Sequence, residues 1–466
     1  MTASYTFLYK KPKLLYRKTM LKAILIDCIP PQISKEEADH RMTEAESLIK
    51  TYGGLAVIKK IQKRQTPDLK TFIGSGKLEE IIEESKNIDA NILIINNELK
   101  PHQTYNINER LRKISEEDRK RATDAGVKGK IAHNFKEPMK AWDRIDLILK
   151  IFQKHASTRE AKLEIELASI KHMGPRIFGM GMQLSRQGGG IGTRGAGETN
   201  IEAMKRHLGK MEDSIKKELE AYKKVRKVHR DSRRRQNFKT VGIIGYTNAG
   251  KSTLLNSLTK KGAYAADKLF ATLDTRVGKM YIHTNGSNLH RTAEEQLDEN
   301  GNYIPLPVPH EVLVSDTIGF IENLPTTLIK SFQSTLEETI DADLILHVID
   351  LSDPRLLQKI EVVNEILFDI NSLLKPTIYV FNKIDSLGES GRALFEKLRE
   401  QFKVFHPCFV SAASKEGTDT LKEAIRDALF PQPQSPSAIG VLDVIKDLKQ
   451  QRHIKNFAQK NQEKKL

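Results

Sequence analysis

Thr240-Val241-Gly242-Ile243-Ile244-Gly245-Tyr246-Thr247-Asn248-Ala249-Gly250-Lys251-Ser252-Thr253 is the stretch on which the fold turns. Its first five residues read as a buried strand, the next eight spell G-x-x-x-x-G-K-S, and Thr253–Thr259 reads as a helix. Strand, glycine loop and helix stand in the order a phosphate-binding loop requires. The glycines let backbone N–H groups turn inward, and the helix N-terminus adds positive potential where an anion would lie. In such a loop Lys251 reaches the β- and γ-phosphates and the Ser252 hydroxyl binds magnesium. The whole loop, Gly245 to Thr253, is therefore expected to bind nucleotide.

Downstream residues choose the base. Glu311–Ser315 reads as a strand ending in Asp316-Thr317-Ile318-Gly319, where a magnesium-side carboxylate and a γ-phosphate-facing N–H belong. Asp343–Asp350 and Thr377–Phe381 are further strands, the second running into Asn382-Lys383-Ile384-Asp385. The Asp385 carboxylate can accept two hydrogen bonds from guanine, whereas adenine offers no such donor pair and would leave the carboxylate unsatisfied. Ser411, Ala412 and Ala413 end the last strand with N–H groups expected to face the guanine carbonyl. Between loop and Asp316 lies Phe270-Ala271-Thr272-Leu273-Asp274, a switch segment in which Thr272 is expected to close over magnesium and the γ-phosphate. Lys251, Thr272 and Gly319 are the expected catalytic groups. Ser252, Thr272 and Asp316 are the expected magnesium ligands, Asp316 directly or through water.

Upstream, strands at 24–28, 55–62 and 91–95 alternate with helical stretches at 35–51, from Gly74-Ser75-Gly76-Lys77 to about 86, and at 101–113. This predicts a small parallel α/β domain over 23–113, followed by a flexible charged insertion at 114–140. Residues 141–237 read as an antiparallel helical hairpin. Ile201, Met204, Leu208, Met211, Ile215, Leu219, Tyr222 and Val225 form the seam of its second helix, 198–235. The hairpin tip, Gly174 to Thr199, carries nine glycines with Arg176, Arg186 and Arg194 among them, and reads as a loop whose backbone and guanidiniums can approach phosphates. A GTP-binding domain is expected over 238–431, with a surface insertion at 283–308. A basic disordered arm (1–22) and a basic tail (432–466) flank the whole.

The formal net charge of the 466 residues is +16, but it is not spread evenly. Residues 240–432 hold 19 Lys+Arg against 26 Asp+Glu, while residues 203–239 hold 14 basic against 5 acidic. An acidic nucleotide module is thus joined to a basic apparatus, which points to a polyanionic partner. No run of about 18 apolar residues predicts a membrane span. The two cysteines, Cys28 and Cys408, fit no metal spacing and no disulfide framework and suggest a reducing compartment; a cytoplasmic location and a monomer are expected.

The chain resembles the HflX family of translation-associated GTPases over roughly residues 70–430. The likeness is carried by Gly188–Glu202, Thr158–Leu163 with Glu166-Leu167-Ala168, Gly245–Leu254, Phe270–Asp274, Asp316–Phe320 with Leu324-Pro325, and Leu336-Glu337-Glu338. The resemblance implies GTP hydrolysis to GDP, binding to the large ribosomal subunit, and splitting or recycling of stalled ribosomes. It also puts the glycine-rich tip against rRNA, through Arg176, Arg186, Gly190, Gly192, Arg194, Gly195 and Gly197. Phe320 stands where many GTPases have a water-orienting glutamine, so the ribosome is expected to supply activation. Asn248 resembles the asparagine that binds potassium in some GTPases lacking that glutamine; a plain loop-stabilising role is the alternative. A signalling switch acting on a protein effector through the hairpin is the competing reading of the whole chain, and Asp385 argues against an RNA-remodelling ATPase.

Overall fold

The computed structural model describes residues 21–88, 90–124, 139–187, 196–259, 276–285, 296–297, 303–304, 307–316, 319–321, 328, 341–369, 375–387 and 391–431. The chain divides into two compact units, Met1–Ile148 and Leu149–Leu466.

The first unit contains β1 (Leu21–Ile29), α1 (Lys35–Tyr52), β2 (Gly54–Lys63), α2 (Ser75–Ile88), β3 (Ile92–Ile95), α3 (Pro101–Asp124) and β4 (Lys140–Asp143). Its strands form a parallel sheet in the order β2-β1-β3-β4. Ile24, Ile26, Ile81, Leu93, Ile95 and Leu111 fill one core between sheet and helices. α1 starts where the Ser34 hydroxyl accepts the Glu37 N–H at 3.1 Å and stops at Gly53, whose φ of 98° the helix cannot continue.

Two expectations for this unit change. α3 continues through residues expected to form an insertion and ends at Asp124; residues 125–138 lie outside the described ones. Charge in this stretch continues the helix at helical spacing: Glu116 pairs with Arg112, four residues earlier, at 2.6 Å. Residues 140–143 are a fourth strand, β4, in register with β3.

The second unit holds the arm and the nucleotide module. α4 (Arg144–His155) leads into it, and α5 (Arg159–Gln187) and α6 (Ala196–Arg235) follow. Arg159 pairs with Glu218, Leu163 and Leu167 pack with Ile215, and Gly174 lies near Leu208. The partners descend in number as the first helix ascends, so the two helices are antiparallel. The expected glycine loop is shorter than its composition suggested. Gly174, Gly179 and Gly181 lie within α5, where Met180, Met182, Gln183 and Leu184 are strong helix formers, and Gly197 lies in the first turn of α6. Arg176 and Arg186 therefore sit on a helix. Gly190, Gly192, Arg194 and Gly195 lie outside the described residues.

The module's sheet runs β12-β11-β10-β5-β9-β6. Its members are β5 (Lys239–Gly245), β6 (Arg276–Asn285), β9 (Pro307–Asp316), β10 (Leu344–Asp350), β11 (Thr377–Asn382) and β12 (Cys408–Val410). All pair in parallel except β6, which is antiparallel to β9. Helices α7 (Lys251–Leu258), α8 (Leu356–Asp369), α9 (Gly391–Gln401) and α10 (Thr418–Leu429) flank its strands in the sequence. Val241, Ile243, Leu254, Val314, Val348 and Val380 are core residues. The expected insertion at 283–308 is trimmed at both ends, since β6 runs to Asn285 and β9 starts at Pro307. Between them β7 (Gln296–Leu297) pairs with β8 (Tyr303–Ile304). β6 was not anticipated, although Gly278, Met280 and Ile282 are buried while Lys279, Tyr281 and His283 are exposed, a strand's alternation. Among the described residues no helix is long and apolar enough to cross a membrane.

Candidate functional site

β5, β9, β10, β11 and β12 are mutually parallel, so their carboxyl ends share one edge of the sheet. That edge carries the loops singled out in the sequence. After Gly245 the chain turns through Tyr246–Gly250 into α7. Gly250 has φ 91°, and a Cβ there would lie 2.2 Å from Asn382 Nδ2, so both conformation and space demand glycine. Asn248 takes φ 64° with its side chain exposed. Among the described residues no side chain caps α7, so the N–H groups of its first turn are aimed at the loop.

Lys251 is buried, and its ammonium donates to Tyr246 O at 2.8 Å. Burial pushes its pKa down to about 8, and the nearby Asp316 carboxylate opposes that shift. Beside it the Ser252 hydroxyl donates to Asp316 Oδ2 at 2.6 Å. Thr247 Oγ1 is buried with no hydrogen-bond partner among the described residues.

The end of β9 is pinned to the loop through backbone. Thr247 N donates to Phe320 O at 2.7 Å, and Phe320 N donates to Gly245 O at 3.1 Å. The Phe320 ring is 1% exposed, so it belongs to the core and presents nothing to the cleft. Thr317 and Ile318 lie outside the described residues, as does the switch segment Phe270–Asp274 with Thr272.

On the base side, Asn382 has a role its motif did not reveal. Its Nδ2 donates to Ala249 O at 2.8 Å, and its Oδ1 accepts Ala412 N at 2.9 Å. One buried amide thus ties the phosphate loop to the last strand's loop. Lys383 takes φ 68° and pairs with Asp350 at 2.7 Å, a partner not singled out in the sequence. Ile384–Ser386 is a single 3₁₀ turn that leaves Asp385 exposed. Of the three N–H groups expected to face a carbonyl, Ser411 N is taken by Glu416 O and Ala412 N by Asn382. Ala413, which is exposed, keeps its N–H outside these bonds.

This cleft, assembled from four separate loops, matches known families along most of the chain. Residues 39–120 match the GTP-binding GTPase N-terminal family, residues 155–233 the GTP-binding GTPase middle region, and residues 240–383 the 50S ribosome-binding GTPase family. The GTPase HflX of Caldanaerobacter subterraneus subsp. tengcongensis is 38% identical over 404 residues, covering 86% of this chain and 80% of that protein. The GTPase HflX of Escherichia coli K12 is 37% identical over 348 residues, covering 75% and 70%.

The chain belongs to the HflX family of GTPases.

As an HflX-family chain it is a GTP-binding protein of the GTP-hydrolysing class. A crystallised GTP-binding protein from Sulfolobus solfataricus in complex with GDP is also similar, at 24% identity and a TM-score of 0.43, covering 88% of this chain and 99% of that one. P-loop GTPases work with magnesium, and the residues present suit it. The Ser252 hydroxyl and the Asp316 carboxylate are hard oxygen donors converging at 2.6 Å.

Proposed function

We propose that this protein is a ribosome-associated GTPase that hydrolyses GTP to GDP and phosphate on the large ribosomal subunit, and thereby splits or recycles stalled ribosomes. The observation carrying the proposal is the pairing of the guanine-nucleotide cleft with α6, a 40-residue helix of the same unit. Lys205, Lys210, Lys216, Lys217, Lys223 and Lys224 are exposed along it, a charge pattern suited to rRNA phosphates. The matched family's description as 50S ribosome-binding supports the same partner.

In this reading the N–H groups of residues 246–253 and the Lys251 ammonium hold the phosphates. To do so Lys251 exchanges Tyr246 O for phosphate oxygens. Asp385 accepts from the guanine edge, Lys383 and Asn382 brace that loop, and Ala413 N–H serves the guanine carbonyl. Ser252, Thr272 and Asp316 would hold magnesium, which supplies charge neutralisation at the β- and γ-phosphate oxygens. Water attacks the γ-phosphorus, the bond to the β–γ bridging oxygen breaks, GDP departs, and the water proton ends on phosphate. Gly319 N–H faces the γ-phosphate. Phe320, buried and apolar, cannot orient the water. Slow unaided hydrolysis follows, with activation when the ribosome orders Thr272 and the Asp316–Phe320 loop. Asn248, exposed at the loop apex, is the residue a potassium ion would use. Arg176, Arg186, Arg194 and the tip glycines would contact rRNA at the end of the arm.

The test is co-sedimentation with 70S ribosomes and with isolated subunits, in GDP and in a non-hydrolysable GTP analogue, alongside hydrolysis rates with and without large subunits. Analogue-dependent recovery with the large subunit and faster hydrolysis are expected. Equal recovery in both nucleotides, or no stimulation, refutes the ribosomal reading. Asp385→Asn should weaken GTP binding, and unchanged affinity refutes the guanine assignment.

A further inference from the structure

Tyr246, the first residue of the phosphate loop after Gly245, is 6% exposed, and its ring carries a cation on one face. Lys359 Nζ, from the first turn of α8, lies 4.4 Å from the ring centroid. The same ammonium forms an ion pair with Asp353. Asp353 is set by its own bonds: its N–H donates to Asp350 O at 3.3 Å, and its Oδ1 accepts Arg355 N at 2.9 Å.

Asp350, at the other end of that turn, accepts Ser352 N at 3.0 Å and Ser352 Oγ at 2.6 Å on Oδ1, and pairs through Oδ2 with Lys383 at 2.7 Å. A four-residue turn therefore bears two carboxylates, each holding one lysine. One lysine braces the loop that carries Asp385. The other lies on the ring of the residue whose carbonyl holds Lys251. Both ion pairs are partly shielded, with side-chain exposures of 21% and 15% for Lys359 and Asp353 and of 29% and 18% for Lys383 and Asp350. Such shielding makes a charge–ring contact worth more than it is in open water.

We propose that Lys359 is a positioning residue of the nucleotide site. It fixes Tyr246, and with it the height of the phosphate loop. Through Asp353 and Asp350 it joins that loop to the base-side loop, so that the two halves of the cleft open together and guanine nucleotide is retained longer. Lys359 and Asp353 belong to neither the phosphate-loop motif nor the guanine motif. The inference rests on the nucleotide cleft as assigned above.

The experiment is stopped-flow release of a fluorescent GDP from the full chain. It compares wild type with Lys359→Met, which keeps the aliphatic stem, Lys359→Arg, which keeps both the charge and the ring contact, Tyr246→Leu, and the Lys359→Met/Tyr246→Leu double variant. Release from Lys359→Met is expected to be about three- to tenfold faster, the effect of losing one shielded cation–ring contact. Lys359→Arg should return to within about twofold of wild type. The double variant should release no faster than Tyr246→Leu alone, because both changes break the same contact. Thermal unfolding of each variant separates this from misfolding, since a merely destabilised protein gives additive effects and no rescue by arginine. Wild-type retention of GDP with an unchanged Lys359→Met rate, or additive effects in the double variant, overturns the role of Lys359 and leaves the nucleotide cleft standing. Failure of the wild type to retain GDP overturns both.

Discussion

Asn382→Ala tests how the two sides of the cleft are held together. Asn382 is 2% exposed, and its two partners, Ala249 and Ala412, are 1% and 5% exposed. Truncation strands a carbonyl at Ala249 and an N–H at Ala412, each previously bonded within 2.9 Å. A buried backbone group left unsatisfied costs about 1–3 kcal/mol, so the pair sets a cost of about 2–6 kcal/mol. The space vacated opens against Gly250, which has no side chain, and water entering it would bring the loss toward the lower half of that range. Urea unfolding followed by far-UV circular dichroism measures the effect. Trp142, the one tryptophan, lies in the first unit, so its fluorescence is recorded alongside as a separate probe of that unit. The dichroism transition should move to lower urea. A dichroism shift below about 0.5 kcal/mol would refute the claim that this amide satisfies two buried backbone groups.

Two further outcomes follow from the same edge of the sheet. Gly319→Ala would put a methyl 2.8 Å from Lys251 Nζ and 3.0 Å from Thr247 Cα; the lysine tip can move but the backbone cannot. Steady-state GTP hydrolysis should fall by about tenfold or more while GDP binding survives, and wild-type hydrolysis would contradict the close approach. His347 is buried on β10, its Nδ1 has no hydrogen-bond partner among the described residues, and its pKa is pushed down to about 3, first by burial and then by the Lys251 charge. Because the folded value lies below the ordinary 6.5, unfolding takes up a proton between those limits, and stability falls as pH drops from about 6.5 to about 3. His347→Leu should flatten that acid limb in pH-dependent denaturation by close to one proton, and an unaltered slope would rule His347 out as its source.

What the sequence made legible, and what it hid, divides by the range of the interactions. The strand, glycine loop and helix around Lys251, and the carboxylate of Asp316 beside Ser252, could be read because such a turn demands particular residue types at fixed local spacing. The small parallel sheet could be read because its strands are short apolar runs set between helices. β4 was hidden because four residues, Lys140–Asp143, run directly into a helix and offer no period. The last turns of α3 and α5 were hidden for opposite reasons. One is dense in charges that pair along the helix, and the other is dotted with glycines that a run of strong helix formers overrides. Asn382 is the sharper case. Its motif is visible, but its partners lie 133 and 30 residues away, so the residue reads as a base-recognition element when its bonds are those of a brace between loops. Lys359 goes further, because no motif marks it at all. Groups that touch the nucleotide are constrained by the ligand and leave a pattern. Groups that hold those loops in place are constrained only by one another, and any pair of the right reach and charge can serve. Determinants of nucleotide retention are therefore to be sought at positions such as Asp353 and Lys359 as well as within the motifs.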